Sequence, residues 1–478
     1  MSRSRRVADP GQVAPPLREW VVALRACANR FGRECRCPRV LSMMGGLGDL
    51  CTEASEPSGV EDVGRFGAAV SRTARPTDRP GAGTSRRKTA DPHKLAVRIA
   101  AAALLLASSL ASQAEAAGLT SADALAQAYE LILDGRFDEG ERQLKAACPP
   151  APQPACAVIG AVGDYWRLLI DPEDISRDTA LLNRINGAIA ATEAWVAREP
   201  KRAEAWFYLG GAYGTRVLVR GLRGQYLSAA RDGKRIHDAL QLAISLDPSL
   251  GDAYFGLGLY HYYAAIAPRA ARILSMLMFL PGGDRALGLK EMEQARSKGL
   301  LLRGEADYQL HLINLWYERQ TTPALHLVEG LRVRYPNNPV FYLRLAEVQS
   351  GYVRNHQAAL QTYRTMLDGA RAGRIAMPSR SEVYARLGMA QELDALCDSA
   401  GAIEQVNAVI ALKPASPYAA LARAYYQLGV VHDRAGRRAD AIAAYQRALS
   451  INPRDDRLRL REKIRAAIAR APATRGCR

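Results

Sequence analysis

The sequence predicts an all-α solenoid: stacked antiparallel helix pairs, two of them carrying long insertions, behind a disordered N-terminal extension. Three observations carry that reading. From Ala422 onward, Tyr425, Leu428, Gly429, His432, Gly436, Ala441, Tyr445, Ala448 and Pro453 fall at helix-packing spacings within one 34-residue unit. The same spacings recur upstream with drift, and a single helix pair cannot bury its own apolar face, so neighbours are required. Residues 1–93, by contrast, show neither helical nor alternating periodicity.

Taken in chain order, the extension comes first. Residues 1–93 are rich in Arg, Gly, Pro, Ser and Ala, a composition that cannot bury enough apolar surface to offset ordering entropy. A start codon read too far upstream would yield such a leader, and initiation near Leu95 or Val97 would remove it. Its Cys27, Cys35, Cys37 and Cys51 imitate a metal site, but the spacing is irregular. Residues 94–116 then have the order of a secretory signal peptide. Lys94 and Arg98 precede the apolar run Ile99 to Leu110, and Ala114-Glu115-Ala116 supplies the small residues of a cleavage site. That run is short for a membrane span, which needs roughly 20 apolar residues.

The repeats fill 117–470. Ser121 to Pro154 has Gly135 and Pro152 at the expected places. Ala203 opens a unit with Trp206, Leu209, Gly210 and Tyr213, but Leu240, Ala243 and Pro248 arrive late, after an inserted stretch. Gly251 opens the next with Tyr254, Leu257, Gly258 and His261, and a second insertion precedes Gly288, Met292 and Ala295. The unit from Glu305 carries Tyr308, His311, Leu312, Leu315, Ala324, Val328, Leu331 and Pro336. Pro339 continues in register with Tyr342, Leu345, Ala346 and Ala358, and Ser381 opens a further unit through Tyr384, Leu387 and Gly388. Residues 455–470 place Leu458, Leu460, Ile464 and Ile468 on a narrow stripe among Arg and Lys, which suits a capping helix. A disordered tail is expected at 471–478.

The unit at Ala422 closely resembles the tetratricopeptide repeat (TPR). Its small Gly429 and Ala441 admit close helix approach, and Pro453 ends the second helix. The stretch around Gly258, Tyr262, Pro268, Gly282 to Arg285 and Ala295 is also similar to part of a eukaryotic TPR family associated with clearance of inclusion bodies, and this implies a long-helix variant of the repeat. The TPR resemblance implies a right-handed stack with a concave groove lined by the first helices. On this sequence that groove takes Phe207, Phe255, Tyr262, Tyr263, Trp316, Tyr317 and Tyr426 as its aromatic residues. Such rings offer large contact area at low entropy cost.

Charge and cysteine usage narrow the function classes. Of the chain's 65 Lys/Arg and 48 Asp/Glu, residues 1–116 hold 18 and 11, leaving 47 and 37, so the repeat region stays basic at +10. Its arginines are scattered, without the clustered basic and aromatic alternation of a nucleic-acid surface, so no specific nucleic-acid partner is expected. Cys148 and Cys156 bracket the stiff segment PPAPQPA, and in an oxidising compartment they would close a loop worth about 2.5 kcal/mol. Cys397 and Cys477 are either unpaired or joined to each other. The histidines are dispersed, and neither a nucleophile elbow nor a phosphate loop stands in its required context. The expected function is therefore a secreted, non-enzymatic scaffold, periplasmic or extracellular, binding a peptide or protein segment without cofactor or metal. Two alternatives stay open: a membrane-surface adaptor using Ile273 to Leu280 with Arg269 and Arg272 at headgroups, and an enzyme whose site the sequence does not reveal. If the signal segment is not used, the protein is cytoplasmic.

Overall fold

Proline and polar caps set where several of the helices begin. A computed structural model describes residues 118–268, 272, 276 and 281–470. The extension, the signal segment 94–116, the tail 471–478 and most of the 269–280 stretch lie outside the described residues, as does Cys477. Chain contacts divide the protein into two units, and the second, Val22–Glu115, lies wholly outside the described residues.

Among the described residues there are seventeen α-helices, one π-helical turn and no strand. They run α1 (Ala122–Leu133), α2 (Phe137–Ala147), α3 (Gln153–Ile170), α4 (Asp178–Arg198), α5 (Ala203–Leu222), α6 (Tyr226–Leu246), α7 (Ala253–Ile266), α8 (Arg285–Lys298) and α9 (Arg303–Trp316). The remainder are α10 (Thr321–Arg334), α11 (Pro339–Glu347), α12 (His356–Arg371), α13 (Pro378–Ala395), α14 (Ser399–Leu412), α15 (Ala420–Arg434), α16 (Arg438–Ile451) and α17 (Leu460–Ala469). The π turn, Val348–Tyr352, extends α11. Consecutive odd and even helices pair antiparallel, and α17 covers the last pair. This is the all-α solenoid expected from the spacing.

Local chemistry explains the boundaries. Pro occupies the first turn of α3, α11 and α13, where its missing N–H has no helical partner to lose. Asp284, Asn338, Asn355 and Asp398 cap α8, α11, α12 and α14 by accepting from backbone N–H groups one or two residues inside. Close approach requires glycine at the α7–α8 crossing. A Cβ on Gly288 would sit 2.6 Å from the Tyr262 amide nitrogen, and one on Gly258 would sit 2.7 Å from Met292 Cγ.

Three features differ from the expectation. The stretch after Tyr213 is not an insertion between helices, because α5 and α6 lengthen to 20 and 21 residues and absorb it. A whole pair, α3 and α4 at 18 and 21 residues, stands between the units at Ser121 and Ala203, its closing Pro200 far beyond the 34-residue spacing. The capping helix begins at Leu460 rather than Asp455, where the Asp456 carboxylate accepts from the Leu460 and Arg461 amides. Leu460, Ile464 and Ala467 are its buried stripe. Cys148 and Cys156 are joined in a disulfide between α2 and α3, with Cα atoms 6.6 Å apart.

The core is not partitioned pair by pair. One continuous cluster runs from Leu125 in α1 through α6 and includes Tyr308, Leu331, Tyr335, Val340 and Phe341 of α9 to α11. The first pairs therefore pack back onto later ones.

Candidate partner-binding surface

The face of α9 and α11 that carries Glu305, Tyr308 and Phe341 is packed against the chain's own α1 and α3. Trp166 of α3 is fully buried, its ring centroid 5.1 Å from Tyr308 and 5.6 Å from Phe341. Its indole N–H donates to Glu305 Oε2 at 3.0 Å, and the Tyr129 hydroxyl reaches the same oxygen at 3.4 Å. No cation contributes to this site, and burial pushes the Glu305 carboxyl up to about 7 against those two hydrogen bonds. Flanking contacts hold the same arrangement. Asn338 Nδ2 donates to the Leu133 carbonyl at 2.7 Å, and the Asn337 amide and side chain donate to Asp134 at 3.0 and 2.7 Å. Further along, buried Asp171 at the end of α3 accepts from the Tyr418 amide at 3.0 Å and the Tyr384 hydroxyl at 3.3 Å.

The residues expected in the groove fall into different environments. Phe207 and Phe255 are buried, the first against Tyr208 with centroids 5.0 Å apart, the second beside Ala295 and Ala306. Tyr262 is also buried, and its hydroxyl donates to Glu318, which Arg285 holds from the other side. These three rings are packing residues; their outward offsets are covered by neighbouring pairs. Tyr426 is half-buried on α15 against Tyr445, apart from the others.

What the fold does bring together is smaller. Tyr263 keeps 36 % of its surface accessible and meets Tyr317, half-buried, edge-to-face at 5.7 Å. Both pack on Tyr262, at 5.5 and 6.2 Å. Desolvation pushes the Tyr263 hydroxyl well above its ordinary range, with Tyr317 and Tyr262 adding to it, and pushes Tyr317 up to about 12. Trp316, the residue before Tyr317, lies under the Arg344 guanidinium at 5.8 Å. Arg344 donates to Glu347 at 2.6 Å, while its Nε is buried without a partner. Sequence spacing missed Arg344, Glu347 and Glu305, since each sits at an ordinary helix position and gains its surroundings from distant pairs.

Among the described residues, no group of three or more His, Cys, Asp or Glu could hold a metal ion. No described helix is long and apolar enough to cross a membrane. His261 contacts Glu291 at 2.6 Å within the α7–α8 seam. His311 has Nδ1 2.8 Å from the Ala324 carbonyl and an Nε2 without a partner, and burial pulls it down to about 4.

Residues 422–455 match the tetratricopeptide repeat family model. The chain contains a TPR. None of the curated proteins matches the sequence. Among solved structures, the APC/C hetero-tetramer Cut9–Hcn1 aligns at 12 % identity and TM-score 0.41, covering 71 % of this chain and 54 % of the other. The chain thus spans about half the length of that relative. The human IFIT1 dimer with m7Gppp-AAAA aligns at 12 % identity and TM-score 0.37, over 74 % of this chain and 86 % of the other. The C-terminal part of a TPR repeat-containing protein from Cytophaga hutchinsonii aligns at 16 % identity and TM-score 0.32, over 63 % and 98 %. TPR-type helical repeats of this kind form interaction scaffolds.

Proposed function

We propose that this protein is an exported, non-enzymatic TPR scaffold that binds a protein or peptide segment. The binding surface is centred on the accessible pair Tyr263 and Tyr317, with Trp316, next in the chain, under Arg344. The observation that carries this reading is a contrast between neighbouring helices: α1 and α3 pack over α9 and α11, while Tyr263 and Tyr317 stay partly accessible and meet edge-to-face. Accessible aromatic rings beside an arginine are the residue types that dominate binding hot spots. The test is crosslinking of the purified protein to its partners with and without Tyr263→Ala/Tyr317→Ala. Replacing these accessible rings is expected to lower partner recovery at least about tenfold, equivalent to roughly 1.4 kcal/mol, with little change in melting temperature. Equal recovery by the variant would remove this pair from consideration.

Export is supported by the Lys94/Arg98, apolar 99–110 and Ala114–Ala116 order, and by the Cys148–Cys156 disulfide, which suits an oxidising compartment. N-terminal sequencing of the native protein is expected to begin at Ala117. An intact Ala116–Ala117 bond in a cytosolic fraction would overturn the export assignment.

A further inference from the structure

Two carboxylates from later helices hold residues 118–120. The Gly118 amide donates to Asp247 Oδ2 at 2.9 Å, and the Thr120 amide and hydroxyl donate to the two oxygens of Glu204, each at 2.8 Å. Arg202 donates to Glu204 and to the Thr120 hydroxyl, both at 2.7 Å, so buried Glu204 has its counter-charge. Among the described residues, Asp247 has none. It caps the C-terminus of α6, whose last turn holds no basic residue. Its partners are the Gly118 and Ser249 amides and the Ser249 hydroxyl. Burial pushes the Asp247 carboxyl up, but those hydrogen bonds outweigh it and hold the group below its ordinary range, so it is ionised at neutral pH. A carboxylate at the negative end of a helix dipole calls for a cation, and its Oδ2 is bonded to the residue that follows Ala117.

We propose that removal of the signal segment supplies this cation: the new Ala117 ammonium pairs with Asp247 and clasps the mature N-terminus onto α5 and α6. The clasp rests on the export reading and gives cleavage a structural consequence. Hydrolysis of the Ala116–Ala117 bond by a signal peptidase consumes one water. It leaves a carboxylate on Ala116 and, at neutral pH, an ammonium on Ala117. Successive backbone nitrogens lie within about 3.7 Å of each other, so the ammonium falls within roughly 7 Å of Asp247 Oδ2. Before cleavage the same nitrogen is a neutral amide, and Asp247 keeps its unbalanced charge. Gly118 has φ 101°, a conformation that favours glycine, so the chain turns beside the carboxylate. Leu119 packs on the core between the two anchors. The charged groups around the segment are Asp247 from α6 and, at the start of α5, Arg202 paired with Glu199 and Glu204. Pairing raises the amine above its ordinary value, so its contribution to stability is complete below that value and is lost as pH rises through the raised one.

The test titrates the Ala117 amine in the exported mature protein through the pH dependence of its acetylation. Mass spectrometry of the tryptic peptide 117–136, which contains no lysine, reads that amine alone. In the parent it is expected to titrate at least about half a unit above the ordinary range of about 7.7–8.0, which slows acetylation at pH 7 about threefold. Asp247→Asn is expected to return it to the ordinary range. Asp238→Asn makes the same change of net charge roughly 13 Å earlier along α6 and is expected to leave the amine raised. Acetylating the parent is expected to speed hydrogen exchange of the Thr120 amide at least about threefold, with no such change in Asp247→Asn. An ordinary amine in the parent, or equal elevation in Asp247→Asn, would overturn the clasp. If Asp247→Asn does not fold, the parent value alone decides. N-terminal sequencing of the native protein separates this result from the export reading. A start other than Ala117 overturns both, and a start at Ala117 with an ordinary amine overturns the clasp alone.

Discussion

Glu305→Gln is expected to make the protein more stable above pH 7, by up to about 3 kcal/mol, although it removes a charge found deep in the structure. Burial holds the folded-state pKa at about 7, whereas an unfolded glutamate titrates near 4.3. Between those values the folded protein binds more protons than the unfolded chain. The stability contributed by the protonated acid is complete below about pH 4 and is lost as pH rises through 7. At 1.36 kcal/mol per unit, that difference sets the size of the expected gain. Glutamine keeps an acceptor for the Trp166 and Tyr129 donors and has nothing to ionise, while its extra N–H groups offset part of the gain. His311 tilts the balance the other way. Its folded pKa of about 4 lies below the ordinary value of 6.5, so its contribution is complete above pH 6.5 and is lost as pH falls through 4. In the parent the two slopes oppose each other across the shared window. In Glu305→Gln the histidine slope should emerge, with stability rising from pH 4 to 6.5 and holding to pH 8. Denaturant unfolding at half-unit pH steps measures this. Parallel curves for parent and variant between pH 5 and 8 would show that Glu305 is not the buried acid described here.

The regular pairs were legible in sequence because their packing is local. Gly429 faces Tyr445, and a Cβ there would stand 2.5 Å from that ring; both positions lie within one 34-residue unit, so spacing alone reveals them. The early pairs were harder for a geometric reason. Lengthening α3 to α6 to between 18 and 21 residues displaces the closing residues and dissolves the repeat period while leaving the helices intact. The candidate site was the least legible part. Offsets indicate which way a side chain leaves its own helix, but not what later covers it. Tyr262 leaves α7 outward and is then buried by α9, whereas its neighbour Tyr263 stays partly accessible. The junction between Trp166 and Glu305 spans 139 residues, a separation that no periodic pattern encodes.

That junction yields the other large effect. Trp166→Ala is expected to destabilise the protein by roughly 3–5 kcal/mol, the range for deleting a fully buried large aromatic side chain. It would also leave Tyr129 as the hydrogen-bond donor to a buried carboxyl group, adding to the cost. Trp166→Phe separates the two contributions. The phenyl ring retains much of the contact with Tyr308 and Phe341 but lacks the N–H, so it should cost markedly less than alanine and should couple to Glu305→Gln in a double-mutant cycle. Hydrogen exchange distinguishes the packing described here from a stack whose first pairs are independent. If α1 and α3 close over α9 and α11, Trp166→Ala should speed exchange in residues 303–347 as well as in 153–170, because one cooperative unit spans both. Confinement of the change to α3 and its immediate neighbours would mean that the first pairs do not pack over α9 and α11. The accessible surface would then extend from Tyr263 along α9 and α11.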